Sequence, residues 1–208
     1  MISKRLIAIA LLFSLCLLFL TSKASYSAGT SAFVAEWESE VKKNQDLLKE
    51  ATDNLKLKFY LGVAYGNLGD IKAGQEKFDS FKNITLDEWS SLTLTAYNNL
   101  NGGEFEQLKN LNHLAFLYYL DERYSRSAEY FKRAIELDAD NANLYNYKAL
   151  AYGEMGEYEQ AREILSKVEN RNDYTTLLLA ISYYKTGSRF RAVYYYSRVG
   201  DEAKAVLD

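Results

Sequence analysis

Four stretches of this 208-residue chain share one skeleton of small, aromatic and turn-forming residues at identical offsets. Each opens on a small residue: Gly62, Ala115, Ala149 and Ala180. Three positions on, each has tyrosine: Tyr65, Tyr118, Tyr152 and Tyr183. Four further on stand Gly69, Glu122, Gly156 and Gly187, and five beyond those come Gly74, Ser127, Ala161 and Ala192. Four more positions bring a large residue each time: Phe78, Phe131, Leu165 and Tyr196. A small residue and a tyrosine at i and i+3 share one helix face. A glycine beyond them permits a tight reversal. A second helix then presents its own small residue and a bulky one at i+4. Each unit is a helix-turn-helix hairpin that cannot bury its faces alone, so the hairpins must stack.

Composition agrees with helices throughout. The sequence contains no proline, so nothing removes a backbone donor from a helix interior, and it contains 18 tyrosines. Tyrosine fills a helix interface with its ring while its hydroxyl reaches water or a polar partner. Hydrophobic residues make up 48% of the chain and charged ones 25%, enough for one substantial core.

The skeleton resembles the tetratricopeptide repeat. The best matches are Leu114-Ala115-Phe116-Leu117-Tyr118 with Tyr124, Phe131, Ala134 and Leu137, and Ala149-Leu150-Ala151-Tyr152 with Gly156, Tyr158 and Ala161. Ala115 and Ala149 lie 34 residues apart, the period of that family. Ala149 and Ala180 are 31 apart, whereas Gly62 and Ala115 are 53 apart, and the proline that usually closes each repeat is missing. The resemblance implies an all-α fold, a right-handed α-solenoid of stacked hairpins. Repeats are expected over about 55–88, 108–141, 142–172 and 173–204, within a single helical domain spanning 30–208.

Two further helices are expected. Residues 31–52 carry Phe33, Val34, Trp37, Val41, Leu47 and Leu48, a stripe suited to capping the first repeat. Inside the 53-residue interval, Thr85-Leu86-Asp87-Glu88 is a capping box that opens a degenerate helix over 85–101, ended by Asn101-Gly102-Gly103. Any bend in the solenoid is expected at that glycine pair.

The first residues have another purpose. Lys4 and Arg5 precede an apolar run from Leu6 to Leu20, followed by Thr21, Ser22, Lys23 and Ala24. That is the charged, apolar and small-residue order of a secretory signal, with cleavage after Ala24 or Ala28. The run falls short of the roughly 20 residues that span a bilayer, and the alternative is an uncleaved anchor. Cys16 follows Leu15 rather than a small residue, which argues against lipidation. Its loss with the signal leaves no cysteine for a disulfide. The chain's net charge of −3 becomes more negative when Lys4, Arg5 and Lys23 leave, which argues against a nucleic-acid partner. Asn83-Ile84-Thr85 fits a glycosylation sequon, a pattern common by chance.

No catalytic constellation, metal site or cofactor motif is found. His113 is the sole histidine and sits beside Leu114 in a core-forming helix. The glycines stand one per turn rather than in a phosphate loop, and the acidic pairs fall at helix ends or on polar faces. What remains is a surface. By resemblance to the family, one face of each first helix lines the concave side. Position by position this gives Phe59, Val63, Asn112, Phe116, Tyr119, Asn143, Asn146, Leu150, Tyr174, Ile181 and Tyr184, with Lys56 and Lys109 at the edge. The resemblance implies a groove for a protein or peptide, in which asparagine amides pair with an extended backbone. The alternative is that this face packs against neighbouring helices. Some family members clamp a terminal carboxylate with lysine and asparagine, but Phe59 and Val63 occupy those positions here.

Tyr194, Tyr195 and Tyr196 lie on the last helix. Either the tail Glu202–Leu207 covers them, or Tyr194 and Tyr195 form a terminal interface for a homodimer or a partner. The resulting expectation is an exported, non-enzymatic scaffold, periplasmic or secreted, that touches a membrane only if residues 6–20 are retained. A glycan-binding module and a membrane-anchored assembly factor are the alternatives.

Overall fold

The computed structural model describes residues 31–200. Helix α1 is Val34–Glu50, α2 Leu55–Leu68 and α3 Ile71–Phe78, followed by a 3-10 turn, Asp79–Asn83. Helix α4 is Leu86–Asn98, α5 Glu104–Leu120, α6 Tyr124–Leu137 and α7 Ala142–Glu154. The last three are α8 (Tyr158–Ser166), α9 (Asp173–Lys185) and α10 (Arg189–Tyr196). The fold is an all-α solenoid of antiparallel hairpins: α2 with α3, α5 with α6, α7 with α8, and α9 with α10. Among the described residues no helix is long and apolar enough to cross a membrane. The signal-like segment 1–24 and the tail beyond Gly200 lie outside the described residues.

One backbone device closes all four hairpins. The turn position has positive φ every time: +83° at Gly69, +59° at Glu122, +78° at Gly156 and +80° at Gly187. The residue after it returns a hydrogen bond to the carbonyl of the skeleton tyrosine. These bonds run from Asp70 to Tyr65, Arg123 to Tyr118 and Glu157 to Tyr152 at 2.9 Å, and from Ser188 to Tyr183 at 2.8 Å. That geometry satisfies helix carbonyls that would otherwise be orphaned and points the chain back along itself.

Glu122 performs this task at a cost, because an L-residue with a Cβ is strained in the left-handed region. Its Oε1 is also buried without a partner among the described residues. Glu122→Gly is therefore expected to stabilise the protein by about 1 kcal/mol, the relief of strain exceeding the extra chain entropy that glycine brings. Urea midpoints of the two proteins check this, and an unchanged or lower midpoint would refute it.

Small residues bring the paired helices together. A Cβ built on Gly74 would lie 3.1 Å from the Gly62 carbonyl, and one on Gly62 would lie 2.7 Å from Phe78 Cε1. The bulky skeleton positions then fill the core, with Phe131 and Leu165 fully buried. Tyr196, their counterpart in the last hairpin, is 41% exposed.

Two additional helices, α1 and α4, pack on these hairpins. Helix α1 packs on α2, and its buried Trp37 also meets Phe105 of α5 edge-on at 5.1 Å. It thus seals two repeats rather than one. Helix α4 carries both arms of the capping box: Glu88 N–H donates to Thr85 Oγ1, and Thr85 N–H donates to Glu88 Oε2 at 2.9 Å. It ends at Asn98, before the glycines, and packs on α5 in the place a preceding second helix would take. Its Tyr97 hydroxyl bonds those of Tyr118 (2.7 Å) and Tyr130 (2.8 Å), tying α4 to the next hairpin.

Candidate functional site

The inner faces of the first helices enclose a cavity of about 410 Å³. That lies within the range of ligand and side-chain sites. Phe116 and Leu120 of α5, Leu150 and Gly153 of α7, and Leu178 and Ile181 of α9 line one wall. Helix α3 and the 3-10 turn fold across the N-terminal end, where Phe78, Phe81 and Trp89 of α4 face in. At the other end the lining turns polar, with Tyr119, Tyr158 and Tyr174 around Glu154 and Lys185.

The sequence-derived residues divide into three groups. Phe116, Tyr119, Leu150, Tyr174 and Ile181 line the cavity. Phe59, Val63, Asn112, Asn143 and Asn146 do not open onto it; they are buried in the seams between neighbouring first helices. Tyr184 is 63% exposed and lies outside the lining. The expected face is thus rotated. Counted from the small residue that opens each repeat, the position one later does reach the cavity, at Phe116, Leu150 and Ile181. The position three earlier instead meets a neighbouring repeat at Phe59, Asn112 and Asn146, and reaches the cavity at Leu177.

The buried asparagines form a network of their own. Asn67 Nδ2 donates to the Val63 carbonyl (2.9 Å) and to Asn112 Oδ1 (3.2 Å), and Asn112 Nδ2 donates to the Leu108 carbonyl at 3.0 Å. Asn143 Nδ2 donates to the Asn67 carbonyl at 3.1 Å, and Asn172 Nδ2 donates to Asn143 Oδ1 at 3.1 Å. Asn172 Oδ1 caps α9 by accepting from Thr175 N–H at 2.8 Å. The amides that suited a peptide backbone are therefore spent inside the fold, joining α2, α5, α7 and α9. Asn67, Asn141 and Asn172 belong to this network and were not among the expected residues.

Trp89, Glu154, Tyr158 and Lys185 were also missed. The signal for the two charged ones is positional. They stand five residues after Ala149 and Ala180, where α5 has Leu120, and all three reach the cavity. Glu154 ends α7 and is half-buried; its Oε1 accepts a hydrogen bond from the Tyr119 hydroxyl at 3.3 Å. Burial, and then the neighbouring Glu122, raise its carboxyl above the usual range. Burial likewise pushes the Tyr119 hydroxyl well up, so that it stays protonated and donates.

On the last hairpin, Tyr195 stacks on Tyr183 at 5.2 Å and is half-buried, whereas Tyr194 is 51% exposed. Phe190 (96%) and Val193 (69%) share the exposed side of α10. The tail segment Glu202–Leu207 expected over these tyrosines lies outside the described residues.

Residues 108–141 and 130–163 each match a family profile described as the tetratricopeptide repeat. Among proteins of curated function, none matches the chain in sequence. Two solved structures are similar to it in shape. One, a crystal structure of MamA protein, is 19% identical with a TM-score of 0.42, over 82% of this chain and 84% of that one. Another, a crystal structure of MamA, is 19% identical with a TM-score of 0.41, over 83% of this chain and 89% of that one.

Proposed function

We propose that this chain, which matches the tetratricopeptide repeat over residues 108–163, is a non-catalytic interaction scaffold whose cavity holds a segment of another protein. The observation that carries the reading is the cavity itself. It is walled by the first helices of three successive hairpins, is apolar over most of its surface, and has both its charged groups, Glu154 and Lys185, at one end. Apolar walls with a few convergent polar groups bind by burying large side chains and fix their orientation through the polar ones. A reading as a glycan site is less well supported, because the asparagines that would meet sugar hydroxyls are buried and bonded to one another.

The double variant Leu150→Gln, Ile181→Gln tests the reading. Both residues are half-buried on the cavity wall, so the change makes the wall polar without opening the core. A partner recovered from an extract of the source organism is expected to be retained at least tenfold less by the variant, with helical content unchanged. Equal retention by both proteins would move the binding surface out of the cavity.

The scaffold is proposed to act after export, on the strength of Lys4, Arg5 and the apolar run Leu6–Leu20. The intact mass of the protein purified from its source is expected to lack residues 1–24 or 1–28. The full mass, recovered with membranes, would instead make the run an anchor.

A further inference from the structure

Glu154 is placed where a carboxylate is poorly accommodated. It is the last residue of α7, at the helix end whose exposed carbonyls already carry partial negative charge. Glu122 lies near enough to oppose its ionisation. Among the described residues no lysine or arginine pairs with it, and its hydrogen bond comes from the neutral Tyr119 hydroxyl. The other charged group on the lining, Lys185, is exposed, with its ammonium 5.7 Å from the centre of the Tyr158 ring. An exposed cation is screened by water, whereas a half-buried carboxylate is not, so Glu154 dominates the field inside the cavity. Tyr119, Tyr158 and Tyr174 surround this end with aromatic rings, which attract a cation as well.

We infer that the segment held in the cavity carries a lysine or arginine that pairs with Glu154, next to large apolar side chains that fill the wall between Phe116 and Ile181. This rests on the proposal that the cavity is the binding site. A basic side chain would supply the charge that Glu154 lacks, and its aliphatic stem would lie along the apolar lining. An acidic segment would add a further negative charge beside Glu154 and Glu122. A wholly apolar one would bury the carboxylate without a partner.

The test selects binders from a phage library of randomised seven-residue peptides on three full-length proteins: wild type, Glu154→Gln, and the Leu150→Gln, Ile181→Gln double variant. Wild type is expected to enrich peptides with lysine or arginine beside leucine, phenylalanine or tryptophan. The strongest peptide is then synthesised with a fluorescein label, alongside a copy in which norleucine replaces its basic residue. By fluorescence polarisation the norleucine copy is expected to bind wild type at least tenfold more weakly, and Glu154→Gln is expected to bind both copies alike. Such a cycle isolates the pairing of that residue with Glu154. Apolar peptides enriched without basic residues, or a tenfold difference that persists in Glu154→Gln, would overturn the inference and leave the cavity as the binding site. No enrichment on wild type, or equal binding by the double variant, would remove the cavity reading and this inference with it.

Discussion

Replacing Asn67 by leucine is expected to cost the protein about 3 kcal/mol of folding stability. The two side chains are close in size, so the loss comes from hydrogen bonding rather than from a cavity. Leucine withdraws the donor that Asn112 Oδ1 uses and the acceptor that Asn141 Nδ2 approaches at 3.5 Å. Both partners are buried, at 0% and 1% exposure, so water cannot replace what is lost. An unmet buried polar atom costs about 1–3 kcal/mol, and the branched methyls must also fit against the Asn112 and Asn141 amides. The same change at Asn98, exposed at the end of α4, should stay within about 0.5 kcal/mol. Urea unfolding followed by circular dichroism compares the two variants. A loss below about 1 kcal/mol at Asn67 would mean that apolar packing alone holds α2, α5 and α7 in register.

The hairpins were legible in the sequence because their spacing is dictated by backbone geometry. Tyr65, Tyr118, Tyr152 and Tyr183 accept the closing hydrogen bond through their carbonyls, so the interval from tyrosine to turn cannot vary. Even Glu122, which breaks the glycine pattern, takes the left-handed conformation that its position requires. The capping box of α4 was equally legible, because it is a local exchange between Thr85 and Glu88. The orientation of the cavity was not. Helix α5 is buried at every residue from Asn110 to Tyr119, so the polarity of its residues does not say which side faces a groove and which a neighbour. Asn112 and Asn146 look like surface residues by type, yet both are buried in seams, where Asn112 Oδ1 accepts from Asn67 and Asn146 Nδ2 donates to Asn172 Oδ1. Phe78, Phe81 and Trp89 reach the cavity because α3 and the 3-10 turn fold back over it, a tertiary event that no local spacing encodes. Glu154 and Lys185 share a repeat position, but Leu120 and Asn67 hold it in the other repeats, so charge alone did not mark it.

Acidification from pH 7 to pH 5 is expected to remove about 2 kcal/mol of stability through His113 alone. The imidazole is 4% exposed, stacks on Tyr60 at 4.5 Å and lies 5.5 Å from the Phe59 ring. Burial above all, and then Lys109 and Lys56, push its pKa from 6.5 down to about 3. The unfolded chain therefore takes up a proton as pH falls through 6.5, whereas the folded protein refuses it until pH nears 3. In that interval the unfolded state binds more protons, so stability is full above pH 6.5 and falls with pH, by about 1.4 kcal/mol per unit. Asp46, Glu88, Glu106 and Glu163, whose pKa values are lowered, act in the same direction but only near and below the ordinary carboxylate range. Glu154, whose pKa is raised, works the other way and offsets part of the loss as it gains its proton. His113→Phe keeps an aromatic ring against Tyr60 and removes the titration. Urea unfolding at pH 7, 6 and 5 should show wild type losing stability while the variant stays nearly level. Parallel losses in the two proteins would mean that the fold admits the His113 proton without penalty, and that the stack on Tyr60 opens to water at mild acidity.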